Sequence, residues 1–221
     1  MVPALWYPTA RATVTAGCRA YLAISGGIDV PRVMGSRATY AGGRLGGFKG
    51  RPLKSGDVLA QGSAAGLNPT RSLPPSYIPD YPEEIMLRAV PGPQDDFFQE
   101  GLETLFSEAY LVTAKADRMG YRLQGPPVIR RARMPASIIS ESGMPGSIQI
   151  PPDQQPIVLF VEQTVGGYTK IATVISADLP GLAQAVPGDR VRFASVDLET
   201  AHQAYRQHVA RLAEIRALLS T

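Results

Sequence analysis

Glycine and proline punctuate this chain too densely for long regular elements: 22 Gly and 20 Pro fall among 221 residues. Glycine frees the backbone where it must bend, and proline fixes φ and removes a hydrogen-bond donor, so clusters of the two bound short segments. The pattern predicts a mainly β chain of many short strands joined by turns. Its length suits one sizeable core or two small, closely packed domains. A hydrophobic content of 44%, 19% charged residues and a mean hydropathy of −0.03 are those of a globular protein.

Segments 19–25, 57–61, 84–90, 109–113, 147–150, 156–161, 168–176 and 190–194 read as strands bounded by Gly or Pro. Between Gly35 and Gly56 seven glycines sit among basic and aromatic residues, a long loop region of the kind that usually serves function. Five prolines in residues 64–82 exclude a regular element and read as a connector between two halves. Phe98, Leu102, Leu105 and Phe106 recur at helical spacing, and residues 178–185 suit a short helix. The clearest helix is the last: Asp197 can cap it, and Leu198, Ala201, Tyr205, Val209, Leu212, Ile215 and Leu219 recur every three or four residues.

Charge and composition narrow the partners. A net charge of +3 is scattered except at Arg130, Arg131 and Arg133, with no aromatic stacking pattern, so no nucleic acid is expected. No apolar run approaches a membrane span and no basic leader precedes an apolar core, which makes the cytoplasm the default expectation. A single cysteine, Cys18, allows neither an internal disulfide nor a thiolate cage. The two histidines, His202 and His208, stand six positions apart on the last helix, about 600° of rotation, so they do not share a face and no metal site is expected.

The usual motifs of nucleotide, zinc and serine-hydrolase chemistry do not occur; the Gly43–Lys49 stretch lacks the Ser or Thr that a P-loop needs after its lysine. What remains are polar residues set in glycine-rich turns. DRMGYRL places Arg118 and Arg122 about a glycine turn, and a guanidinium fork matches a planar carboxylate or ureido oxygen. These arginines could equally be structural partners of Glu141 or Asp153. GSIQIPP points Ser147 and Gln149 to one side of a strand and Ile148 and Ile150 to the other. QTVGGY follows a buried strand and offers backbone amides at Gly166 and Gly167.

In order, the segments RAYLAISGGIDVPRVMGSRATYAGGRLGGFKGRPLKSGD, VPGPQDDF, DRMGYRLQGPP, SESGMPGSIQIPPDQQPIVL, QTVGGYTKIATVISADLPGLAQAVPGD and VRF resemble the family of 5-oxoprolinase C subunits. That family is also known as KipA-type, or allophanate hydrolase subunit 2, and is related to biotin-dependent carboxyltransferases. The resemblance runs along nearly the whole chain but matches only the larger, C-terminal part of the usual family sequence. It implies a cyclophilin-like β-barrel whose first half is incomplete, with a long C-terminal helix. Residues 1–63 would be the remainder of the N-terminal half with its Gly-rich loop, 64–82 the linker, and 83–221 the C-terminal half and helix.

Function follows from the same resemblance. It implies one component of an ATP-dependent complex that opens 5-oxoproline to glutamate, working with a KipI-type component (allophanate hydrolase subunit 1) and a LamB/YcsF-type component. The alternatives it carries are a KipA-type regulator that neutralises a KipI-type histidine kinase inhibitor and a urea carboxylase-like carboxyltransferase domain. ATP would be used by the complex, and carboxybiotin could come only on another protein, because none of the six methionines precedes a lysine. The expected ligand is a small amide or lactam. Its candidate binding residues are Arg118, Tyr121, Arg122, Gln149, Gln163, Thr164, Gly166, Gly167 and Tyr168, with Arg118, Tyr168 and Lys170 as catalytic candidates and Arg37, Gly46 and Gly47 as loop candidates. Three positions depart from the family pattern: Val161 stands for Asp, Val165 for the second Thr of its run, and Gln154 for a Gly.

Overall fold

The structure is a computed structural model that describes residues 16–63 and 72–220. The first fifteen residues and the stretch 64–71, which holds part of the proline-rich connector, lie outside the described residues. The chain forms two compact units, residues 1–13 with 20–71 and residues 14–19 with 72–221. Among the described residues of the first unit, regular pairing is confined to a ribbon of β1 (Thr39–Tyr40) and β2 (Leu45–Gly46) and two isolated bridges, Ile28 with Gln61 and Val33 with Ser36.

Two strands expected there are therefore absent among the described residues. Residues 19–25 alternate correctly but meet no partner strand, and Tyr21 and Leu22 are almost fully exposed. Residues 57–61 contribute only the Gln61 bridge. An extended segment becomes a strand only when its backbone groups find a ladder. The glycine-rich loop is ordered by its own turns: Gly46 and Gly47 have positive φ, and a Cβ at Gly47 would lie 1.9 Å from Thr39 Oγ1. Arg51 and Asp57 add a two-pronged ion pair at 2.7 Å that holds the Asp57 carboxyl well below the usual carboxylate range.

The second unit contains the barrel. Its strands are β3 (Glu84–Pro91), β4 (Ala109–Val112), β5 (Gly120–Gln124), β6 (Ser137–Glu141), β7 (Ser147–Ile150), β8 (Ile157–Leu159), β9 (Gly166–Val174) and β10 (Arg190–Ser195). The order β3-β10-β4-β5-β8-β7-β9 closes through a β9–β3 pairing, so seven strands form a complete ring between Glu84 and Ser195. None of the ring's strands comes from the described residues 16–63. Only the β3–β10 pair is parallel, and β6 lies outside the ring on the edge of β9.

Side-chain alternation builds the interior. Ile85, Leu87 and Ala89 of β3 face Val191 and Phe193 of β10, while Met86 points out and is 56% exposed. Tyr110 packs on Phe193 at 6.2 Å and Tyr121 meets Phe160 edge-on at 5.5 Å. Helices α1 (Gln99–Ser107) and α2 (Leu179–Leu182) add Leu105 and Leu182, and Phe98 enters just ahead of α1. Arg88 grips Asp178 through its backbone N–H, Nε and Nη2, tying β3 to the turn before α2.

Helix α3 (Leu198–Leu218) follows the expected cap, with Asp197 accepting from the Thr200 N–H at 2.8 Å. Only Ala204 of this helix is buried; Tyr205, Val209 and Leu212 stay about half exposed. His202 is exposed and His208 half-buried. No helix among the described residues is long and apolar enough to cross a membrane.

Candidate functional site

Strand register sorts the candidate residues into two faces. Directly opposed residues share a face of the sheet, and Arg122 opposes Ile157, Ile157 opposes Gln149, and Gln149 opposes Lys170. This row lies on the face away from the barrel interior, because Tyr121, Val158 and Ile148 occupy the adjacent core-facing row. The expected division of Gln149 from Ile148 and Ile150 is present: both isoleucines are core, and Gln149 is not.

Although they face outward, Gln149 and Lys170 are each only 6% exposed. A register shift in the β7–β9 ladder brings Gln149 opposite Lys170. Gln94 clamps the strand at that point, accepting from the Lys170 N–H at 2.9 Å and donating its own N–H to the Lys170 carbonyl at 3.2 Å. The Lys170 ammonium pairs with the Glu141 carboxylate of β6. Glu141 in turn opposes Gly166, whose missing side chain leaves room for Gln149: a Cβ there would come within 3.2 Å of Gln149 Nε2.

No hydrogen bond joins the Gln149 carboxamide to another described residue, and its amide atoms are not among the fully enclosed ones, so a donor and an acceptor stay open to a ligand. Nearby in the chain, Gln163 donates Nε2 to the Gly143 carbonyl at 3.0 Å, which leaves its buried Oε1 without a partner. Buried polar atoms are almost always bonded, and Gln163 Oε1 shares this exception with Tyr110 Oη and Thr169 Oγ1 in the interior. One cation and one open carboxamide, of Lys170 and Gln149, match a planar ligand carrying an N–H, a carbonyl and negative charge.

Not every candidate joins this group. Tyr121 turns into the barrel, where its hydroxyl accepts from Arg19 Nη1 at 2.6 Å; burial raises its pKa, and the arginine opposes that shift. It stands on the opposite face from Gln149, because one position along a strand reverses the side chain. Arg118 pairs with Glu162 at 3.1 Å, not with Glu141 or Asp153, and half of its side chain is exposed. Arg122 shares the Gln149 row but is exposed, as is Thr164, whose hydroxyl reaches only the Val165 carbonyl. Tyr168 is 40% exposed beside Ser137. Gly167 is required by close packing, since a Cβ would lie 2.8 Å from the Ile138 carbonyl oxygen. Arg37, Gly46 and Gly47 belong to the first unit, where Arg37 Nε donates to the Val30 carbonyl. Glu141 and Gln94 are site residues that sequence reasoning missed, although Glu141 stood out as a possible arginine partner.

Residues 10–195 match the carboxyltransferase domain, subdomain A and B. The chain belongs to this carboxyltransferase-domain family. Within it, the chain is 38% identical over 190 residues to the C subunit of 5-oxoprolinase from Escherichia coli (strain K12), covering 85% of this chain and 59% of that protein. It is 33% identical over 212 residues to the C subunit of 5-oxoprolinase from Haemophilus influenzae, covering 95% of this chain and 66% of that protein. The crystal structure of Kluyveromyces lactis urea carboxylase superposes with a TM-score of 0.79 at 31% identity, over 91% of this chain and 20% of that one. This carboxyltransferase-family chain therefore spans about three-fifths to two-thirds of the length of these two 5-oxoprolinase C subunits.

Proposed function

We propose that the barrel binds a small lactam or ureido substrate at Gln149 and Lys170, and that the chain serves as the C subunit of an ATP-dependent 5-oxoprolinase, acting with KipI-type and LamB/YcsF-type components. The observation that carries this reading is the Gln149 carboxamide, unbonded among the described residues and directly opposite the enclosed Lys170 ammonium. A lactam offers a carbonyl to Gln149 Nε2 and an N–H to its Oε1, and the carboxylate of 5-oxoproline suits Lys170. Preorganised donors of this kind stabilise charge that develops on a carbonyl oxygen as the ring opens. ATP would be consumed by the complex. The likeness to two 5-oxoprolinase C subunits supports the substrate and membership of a multi-subunit complex.

A second reading is a urea carboxylase-like carboxyl transfer, favoured by the superposition on urea carboxylase. Carboxybiotin would then be a substrate delivered on another protein, and the same cation and carboxamide fit a carboxylated ureido group. Reconstitution with the KipI-type and LamB/YcsF-type components, ATP and 5-oxoproline decides between them. Glutamate release that needs this chain, and that falls about 100-fold or more in Gln149→Ala as an oxyanion-type donor is removed, is the expected result. Release unaffected by omitting the chain would end the 5-oxoprolinase reading.

A further inference from the structure

The Lys170 ammonium has three donors and spends one, on Glu141. Its side chain is 7% exposed, whereas that of Glu141 is 48% exposed, so the carboxylate reaches in from solvent to a cation that is already enclosed. No other carboxylate pairs with Lys170 among the described residues. Leaving a buried cation without an anion is costly, and an anion is accordingly in place.

The strand that delivers this anion is separable from the barrel. β6 pairs only with β9, at Ser137 with Tyr168 and Glu141 with Gly166, and the register between those two points is irregular. Four of its five residues are exposed, and Ile139 is 92% exposed. Withdrawing Glu141 would break no pairing of the seven-stranded ring and would return a half-solvated carboxylate to water at little cost.

We propose that Glu141 is a resident stand-in for a ligand carboxylate: it holds Lys170 while the site is empty and yields when an incoming carboxylate takes its place. The inference rests on the reading of Gln149 and Lys170 as the ligand site and adds a competitor to it. The ligand class it selects is a small anion with a carboxylate next to a planar N–H and carbonyl. The lactam edge lies against Gln149, and the carboxylate replaces Glu141 on Lys170. Specificity for carboxylate-bearing lactams over neutral ones then comes from this exchange, because a neutral lactam leaves the Glu141–Lys170 pair intact.

The test is calorimetric titration of the full chain with 5-oxoproline and with pyrrolidinone, the same ring without the carboxylate. Glu141→Gln is expected to tighten 5-oxoproline binding about tenfold by removing a charged competitor, and to leave pyrrolidinone affinity unchanged. Glu141→Ala, which cannot hydrogen-bond Lys170, should do the same, and circular dichroism melts confirm that both variants fold. Lys170→Met should lose the preference for 5-oxoproline. Unchanged or weaker 5-oxoproline binding in both Glu141 variants overturns the proposal, as does failure of 5-oxoproline to bind the wild type and both variants. Gln149→Ala separates the two readings: if it weakens both lactams while the Glu141 variants bind no better, the site stands and the exchange falls. If Gln149→Ala changes neither, the site itself is refuted.

Discussion

At Gln154 the backbone takes φ = +63°, the left-handed region, at the place where the resemblance implies glycine. Its conformation is fixed from outside, since its N–H donates to the Pro151 carbonyl and its carbonyl accepts from the Val128 N–H, both at 3.0 Å. A non-glycine residue there costs about 1–2 kcal/mol, while glycine gives back about 0.5–1 kcal/mol through a more flexible unfolded chain. The first effect wins. Gln154→Gly should raise stability by about 0.5–1 kcal/mol, read as a higher urea midpoint with an unchanged slope. Residue-scale features of this kind were legible in the sequence because they are local. Gln149 against Ile148 needed only the two-residue period. The Lys170–Glu141 pair was not legible, because it joins strands whose register depends on the irregular β6–β9 and β7–β9 ladders. Tyr121 was misplaced for a related reason. Residues Arg118–Leu123 read as one glycine turn, whereas β5 begins at Gly120, and alternation then sends Tyr121 inward and Arg122 outward.

Among the elements, the long helix and the core strands β3, β7, β9 and β10 were readable from periodicity, within a residue or two at their ends. Segment 19–25 has an equally good strand pattern and is not one, because pattern decides only whether a segment could pair. Helix α3 depends on its ends more than the buried elements do, since only one of its residues is fully buried. Asp197 caps it, and the hydrogen bonds it accepts from Thr200, from the side chain first and the N–H second, hold this carboxyl below its ordinary value of 3.8. With the folded-state pKa depressed, the cap's charge-dependent contribution is fully present above the unfolded value and is lost as pH falls through the folded one. Asp197→Ala should therefore destabilise the protein at pH 6. The gap between variant and wild type should narrow steadily below about pH 5, where the unfolded carboxyl begins to titrate. Paired urea melts at a series of pH values check this, and a gap that widens on acidification would contradict the assigned cap.

At the scale of the molecule, closure of the ring decides which parts can open alone. Each of its seven strands has a neighbour on both sides, and β3 and β10 are joined in parallel from Glu84 with Arg190 to Ala89 with Ser195. The sequence could not announce this closure, because it depends on pairing residues far apart in the chain, which local periodicity does not encode. β6 stands outside the ring on a single, irregular ladder and buries none of its five residues fully. Opening free energies should divide accordingly, with ring amides exchanging only through global unfolding and β6 amides through local detachment. Native-state hydrogen exchange is expected to give the amides of Leu87, Val191 and Ile171 a common, denaturant-sensitive free energy equal to that of global unfolding. Those of Ile138 and Ile139 should exchange by a low, denaturant-insensitive route. If Glu141 yields to ligand as proposed, saturating 5-oxoproline should leave β6 exchange as fast or make it faster while protecting the strands around Gln149 and Lys170. Slower exchange in β6 would instead mean that the strand closes over the ligand and keeps its hold on Lys170.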